Sequence, residues 1–238
     1  MALDEALLGR ARASGARVVR VYSWSRPTIS LGRNQTAGHN WDIDRCRERG
    51  VGIVRRLTGG RAILHHREVT YSVVAPIRDG AGLRDDYRAI SELLARALAD
   101  LGIATRSATP TVRMPVPAAA PCFELPARDE LVVDGRKLVA SAQVREDGAF
   151  LQHGSLLNRD DQGWLSELAT VAMPTSPAAT VHDLLGRDLS PMEVAEALRR
   201  AIPEVWRDDV QWMHVDTCAA EMAALIPKYE DPAWTWRR

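Results

Sequence analysis

Two Asp-Gly pairs constrain this chain more than any other feature. Asp134-Gly135 separates Glu130-Leu-Val-Val133 from a run at 136–144, and Asp147-Gly148 separates that run from another at 149–157. Asp-Gly suits a type I′ turn, because glycine takes positive φ freely and aspartate tolerates it. Residues 130–157 are therefore expected to form a three-stranded antiparallel meander. On its middle strand a period of two puts Lys137, Val139, Ser141 and Gln143 on one face, with Leu138, Ala140, Ala142 and Val144 on the other.

The remaining pattern supplies more strands and the helices to cover them. Leu3, Leu7, Leu8 and Ala11 predict a helix over 2–13, and short strands follow at 17–22, 28–31, 51–56 and 69–75. The apolar stripe Leu83, Tyr87, Ile90, Leu93, Leu94, Ala97, Leu98 and Leu101 predicts a long helix that Gly102 can end. Ser190-Pro-Met-Glu193 is a capping box opening a helix to about 202, and 216–226 reads as another. No repeat or linker divides the chain. The expectation is one α+β domain over 1–238, a mixed or antiparallel sheet flanked by helices, with a helical portion from about 190 to 238.

Composition enters as exclusion. The 31 Lys+Arg balance 31 Asp+Glu, which removes the electrostatic footprint of a nucleic-acid binder. No apolar run reaches the ~18 residues of a membrane span. The first residues carry Asp4 and Glu5 and no apolar core, so no signal peptide is expected. Cys46, Cys122 and Cys218 are odd in number and form no CxxC, which points to a reducing compartment, the cytoplasm.

Several stock sites are absent from the sequence. Leu57-Thr-Gly-Gly-Arg61 lacks the ending of a P-loop, and nothing spells GxGxxG. His65-His66-Arg67-Glu68 matches no zinc motif, so no metal is expected. What remains is a Gly59-Gly60 turn after a strand, flanked by Arg55, Arg56 and Arg61. It is either an anion or carbonyl site or a tight turn with solvated arginines. Five prolines punctuate 110–126, and Cys122 sits among them. A lone cysteine is usually a small buried hydrophobe. It becomes a nucleophile when a cation lowers its pKa, and Lys137, one of only two lysines, would do so from a strand facing that loop.

Four segments, in order, resemble the lipoate/biotin protein ligase and octanoyltransferase superfamily. They are Met1-Ala-Leu-Asp-Glu-Ala-Leu-Leu8, Arg55-Arg-Leu-Thr-Gly-Gly-Arg-Ala-Ile-Leu-His65, Asp134-Gly-Arg-Lys-Leu-Val-Ala-Ser-Ala-Gln143 and Gln152-His-Gly-Ser-Leu-Leu157. The register holds to about Asn158, and Lys228-Tyr229 and Trp234 resemble the superfamily's terminal helix. The fold implied is a mixed sheet flanked by helices, like the catalytic core of biotin and lipoate ligases. Gly-Gly-Arg61, His65-His66, Glu68-Val-Thr-Tyr-Ser72 and Pro121-Cys-Phe-Glu-Leu-Pro126 are similar to the cysteine-dependent octanoyl-acyl carrier protein octanoyltransferases. ATP-dependent ligases usually carry a third glycine and a His-Asp pair. The shorter octanoyltransferase class places its cysteine where this chain has Met173-Pro-Thr-Ser176.

The resemblance implies Cys122 and Lys137 as catalytic. It implies Arg55, Arg56, Thr58, Gly59, Gly60, Arg61 and His65, with Ser141, Ala142, His153 and Gly154, as substrate-binding. Implied partners are octanoyl-acyl carrier protein as donor and a lipoyl-domain acceptor such as the glycine-cleavage H protein, with no nucleic acid, no membrane and a monomeric enzyme. No cofactor is implied. The alternatives are an ATP-dependent lipoate ligase, which would use ATP and magnesium, and a noncatalytic acyl- or lipoyl-domain-binding relative. The chain departs from the pattern in three ways. It starts within the first motif, which a strand precedes in relatives, and His66 stands where they have Asp. An ideal hairpin also pairs His153 with Ala142, away from Lys137, so either a bulge re-aims His153 or its role is structural.

Overall fold

The computed structural model describes residues 1–36, 40–109, 123, 128–171, 173 and 176–237. In chain order the elements are α1 (Ala2–Ser14), β1 (Val18–Tyr22), β2 (Thr28–Leu31), α2 (Ile43–Glu48), β3 (Gly52–Arg55), β4 (Ile63–His65), β5 (Glu68–Pro76) and α3 (Leu83–Asp100). They continue with β6 (Arg106–Ser107), β7 (Leu131–Val133), β8 (Arg136–Lys137), β9 (Val139–Glu146), β10 (Ala149–Leu157), α4 (Trp164–Leu168), α5 (Val181–Leu185), α6 (Pro191–Trp206), α7 (Ala219–Glu230) and α8 (Pro232–Thr235). No described helix is long and apolar enough to cross a membrane.

The central sheet is antiparallel, in the order β1-β5-β10-β9. Alternate residues of β5 and β10 serve its two faces. Val69, Tyr71, Val73, Phe150 and Leu156 pack on Ile90, Leu93, Leu98, Val194 and Leu198 from α3 and α6. Val74, Ala149 and Leu151 pack on Leu3, Leu7, Leu8 and Ala11 from α1. A second sheet, β3-β2-β4, lies beside it. Its β2–β3 pair is parallel, because α2 carries the chain back between them. The fold is the α+β arrangement expected, a mixed set of sheets flanked by helices.

Both Asp-Gly turns form as expected, with φ of 49° and 76° at Asp134 and Gly135 and 49° and 82° at Asp147 and Gly148. The meander itself differs. Its middle strand breaks at Leu138: Lys137 pairs with Val132 in a small sheet β6-β7-β8, whereas Val139 pairs with Leu156 in the central one. Leu138 and Val139 both enter the same apolar cluster, so the alternation resets between them. Lys137 therefore does not share the face of Val139, Ser141 and Gln143. Near the C-terminus, α6 runs past 202 to Trp206 through Pro203, and Val205 and Trp206 pack on the core. The last long helix starts at Ala219, after a 3-10 turn over Val215–Cys218, rather than at Asp216.

Candidate active site

Arg56 is the centre of the glycine turn. It leaves β3 fully buried, and its guanidinium donates to the carbonyls of Ser30 (2.8 Å), Gly59 (2.8 Å) and Arg61 (2.7 Å). A buried cation needs countercharge, and two carboxylates supply it through intermediaries. On one side Arg56 Nε donates to Thr58 Oγ1 (3.2 Å), which meets His153 Nε2 at 2.6 Å, and His153 Nδ1 faces Asp4 Oδ2 at 3.6 Å. On the other side Arg56 Nη1 donates to Ser30 Oγ (3.0 Å), which meets His65 Nε2 at 2.7 Å, and His65 Nδ1 meets Glu68 Oε1 at 2.7 Å. Each arm has the same order: guanidinium, hydroxyl, imidazole, carboxylate.

The acids are anchored in turn. Asp4 Oδ1 accepts from Arg20 (2.7 Å) and Ser72 (2.9 Å), and Glu68 Oε1 accepts from Thr70 (2.6 Å) and Ser155 (2.9 Å). Trp24 stacks on His65 with centroids 4.2 Å apart. Burial opposes ionisation of Asp4, yet His153, the N-terminal ammonium and Arg20 together hold its carboxyl well below the usual carboxylate range. Burial pushes the His153 imidazole pKa down, with Asp4 pulling the other way. Asp4 is thus ionised and His153 neutral at neutral pH.

The turn itself needs glycine. Gly60 has φ +88°, and a Cβ there would lie 2.9 Å from Arg56 Nη2. A Cβ on Gly32 would collide with the Gly60 carbonyl, so two loops touch backbone to backbone. Arg55, beside Arg56 in sequence, turns elsewhere. It donates to the carbonyls of Gly32 (2.6 Å), Gln35 (2.7 Å), Thr235 (2.9 Å) and Arg237 (3.1 Å). Neither Arg55 nor Arg56 is a solvated cation beside the turn.

Lys137 is buried and pairs with buried Glu130 at 2.7 Å. Its ammonium lies 5.9 Å from the ring centroid of Phe123, which packs with Ile63, Ala140, Leu157 and Ala178. The Gly60 side of the turn lies over Ala142, two residues from Ala140 on the same face of β9. The break at Leu138 thus brings Lys137 to the glycine-turn side of the sheet, with no bulge at His153, which pairs with Ala142 in regular register. His153 is bound into the cradle under the turn. Ser141 and Gly154 face the other way: Ser141 Oγ meets Tyr71 Oη at 2.7 Å, and a Cβ on Gly154 would strike Tyr71 Cε1 at 2.6 Å. Burial pushes the Tyr71 phenol up to about 12. His66 meets Asp161 at 2.9 Å instead of reaching beneath the turn. Cys122 lies outside the described residues.

The structure thus brings together Arg56, Thr58, Gly59, Gly60, Arg61, His65, Ala142 and His153, and turns Arg55, Ser141 and Gly154 elsewhere. Sequence reasoning missed Asp4, Ser30, Glu68 and Glu130. Asp4 did carry a signal, since it falls on the buried stripe with Leu7, Leu8 and Ala11. Among the described residues no three His, Cys, Asp or Glu side chains converge as a metal-holding group. A cavity of about 760 Å³ lies apart from Lys137, lined by Val19, Val21, Leu198, Trp206 and Trp212.

The Lipoyl protein ligase A/B catalytic domain matches residues 1–203. The chain belongs to that family. Among family members, it is 37% identical to octanoyltransferase LipM of Kyrpidia tusciae over all of this chain and 94% of the relative. It is 38% identical to octanoyltransferase LipM of Moorella thermoacetica, over all of this chain and 93% of the relative. The bipartite lipoate protein ligase of Thermoplasma acidophilum superposes with a TM-score of 0.78 at 23% identity, over 99% of this chain and 89% of that one, and shares the lipoyl ligase fold.

Proposed function

We propose that this family member is an octanoyltransferase, moving an octanoyl group from octanoyl-acyl carrier protein through a Cys122 thioester to a lysine of a lipoyl-domain protein. The observation that carries the reading is the setting of Lys137, a buried ammonium beside Phe123, the chain neighbour of Cys122. The full-length likeness to two octanoyltransferases supports it. The Cys122 thiolate, favoured by the Lys137 cation, attacks the thioester carbonyl, and the carrier thiol leaves with a proton. Backbone N–H groups of the Gly59-Gly60 turn or the Cys122 loop hold the developing oxyanion. Ile63, Phe123, Ala140, Leu157 and Ala178 offer an apolar wall for the acyl chain. The neutral amine of the acceptor lysine then attacks the Cys122 thioester; the amide forms, and Cys122 departs as the thiol with the proton the amine gives up.

A thioester donor is already activated, so the reaction needs no ATP, magnesium or other cofactor. The enzyme acts as a soluble monomer of the cytoplasm in a single catalytic domain. Intact mass after incubation with octanoyl-acyl carrier protein tests the reading. The expected product is one octanoyl adduct, lost in Cys122→Ser and discharged by a lipoyl domain. Adenylate formed from ATP and free lipoate would establish the ligase instead, and neither product would indicate a noncatalytic relative.

A further inference from the structure

The two arms that meet at Arg56 have a chemistry of their own. Arginine carries only donors, so each hydroxyl accepts from the guanidinium and has its own proton left to give. Thr58 and Ser30 each direct that proton to the Nε2 of a histidine, at 2.6 and 2.7 Å. An imidazole that accepts at Nε2 carries its proton on Nδ1, and in both cases Nδ1 faces a buried carboxylate. Asp4 Oδ2 is buried and accepts no hydrogen bond, and His153 Nδ1 faces it across an ion-pair distance of 3.6 Å. The hydrogen bonds thus run one way on each arm, from guanidinium through hydroxyl to imidazole, with a buried carboxylate facing each Nδ1, and they favour the observed pose of Arg56.

That pose matters because the other donors of Arg56 grip the carbonyls of Gly59 and Arg61. Fixing these two carbonyls fixes the peptide planes of the turn, and with them the directions of its N–H groups. We propose that Asp4 and Glu68 are positioning residues for acyl transfer, acting through the Nδ1-protonated tautomers of His153 and His65 to hold Arg56 and thereby aim the glycine turn. The inference rests on the octanoyltransferase reading, and it separates two residues from the rest of the buried polar core.

The groups facing His153 are Asp4 from α1, Arg56 after β3 and His65 from β4, with Arg20 of β1 and the N-terminal ammonium behind Asp4. Protonation of His153 removes the acceptor that Thr58 needs, so transfer falls on the acid side. Asp4 favours the protonated ring, so its loss moves that acid limb to lower pH. Preorganised donors act on the transition state more than on the ground state, which places the effect in kcat.

The test combines kinetics with imidazole nitrogen spectra of the full chain. In Asp4→Asn, Glu68→Gln and Thr58→Val, kcat for octanoyl transfer is expected to fall about tenfold or more, with KM within about twofold. Thr58→Ser, which keeps the hydroxyl, is expected to retain most of the rate. The nitrogen spectra are expected to show His65 and His153 protonated at Nδ1 at neutral pH, with His153 losing that preference in Asp4→Asn. Wild-type kcat in folded Thr58→Val, or an Nε2-protonated His153 in the wild type, would overturn the proposal. Should the wild-type protein transfer no octanoyl group, the functional reading falls, while amide exchange at Gly60 and Ala62, whose N–H groups share peptide planes with the gripped carbonyls, still decides the inference. Faster exchange there in Asp4→Asn upholds it, and unchanged exchange overturns it.

Discussion

The two faces of the central sheet are written in alternate residues of the same strands, yet they do opposite work. Toward α3 and α6, β5 and β10 present Val69, Val73, Ala75, Phe150 and Leu156, a mainly apolar wall in which Gln152 and Tyr71 bond to each other. Toward α1 and the second sheet they present, beside the apolar Val74, Ala149 and Leu151, the polar Thr70, Ser72, His153 and Ser155, all buried and all hydrogen-bonded. The apolar face stabilises by area removed from water and tolerates changes that keep volume. The polar face stabilises little on balance but specifies directions, because each buried donor must meet its own acceptor. One strand register therefore supplies both the bulk of the core and the scaffold of the glycine turn.

The largest effect is expected at Cys122. Cys122→Ser should reduce octanoyl transfer by at least about a thousandfold, with an unchanged urea midpoint; retained transfer would remove the covalent step. On the polar face, Arg56→Met leaves the carbonyls of Gly59 and Arg61 and two relayed carboxylates uncompensated. Urea unfolding should show a loss of about 3–5 kcal/mol, together with loss of activity in the molecules still folded. Leu93→Ala on the apolar face, where Leu93 is fully buried, should cost about 2–5 kcal/mol and leave kcat per folded molecule near wild type. If Leu93→Ala lowers kcat as much as Arg56→Met, the division of labour is wrong.

The smallest effect is a slope with pH. His153 has a folded pKa below the ordinary value of 6.5, so the unfolded chain binds the extra proton first. Its contribution to stability is complete above about 6.5 and is lost as pH falls from there toward the folded pKa. Asp4, also lowered, acts in a separate window below its ordinary value of 3.8. Urea midpoints measured within the His153 window, from about pH 6.5 downward but above the Asp4 window, should therefore decline with acid in the wild type and stay flatter in His153→Gln. Equal slopes in the two proteins would mean that His153 is not the group being titrated.

Much of the fold was legible because it is coded locally. The Asp-Gly turns and the capping box of α6 each sit within a few residues, the stripe of α3 lies along one continuous helix, and each formed. The short elements β4, α2 and α4 left no periodic trace, because three to six residues cannot display one. The break at Leu138 escaped for another reason. Leu138 and Val139 enter one apolar cluster through contacts distant in sequence, and that choice overrides the strand period. The site was legible as a set of motifs but not as an arrangement. Arginines beside a Gly-Gly turn read equally as an anion or carbonyl site and as solvated cations, and only the carbonyls of Ser30, Gly59 and Thr235, brought from three parts of the chain, reveal why Arg55 and Arg56 are buried.

The grip of Arg55 on the far end of the chain has a consequence for the newborn protein. Its partners Thr235 and Arg237 lie about 180 residues downstream, and the same guanidinium fixes the carbonyls of the loop at 32–35 against the glycine turn. Lys228 and Tyr229, also late in the chain, close on Glu5 of α1. A ribosome that has translated every motif up to Asn158 has therefore produced a site whose front loop still lacks its last fastening. Completion of the candidate site must wait until residues 235–237 are translated, so chains stalled or clipped short of residue 235 would display the motifs without the geometry that aligns them.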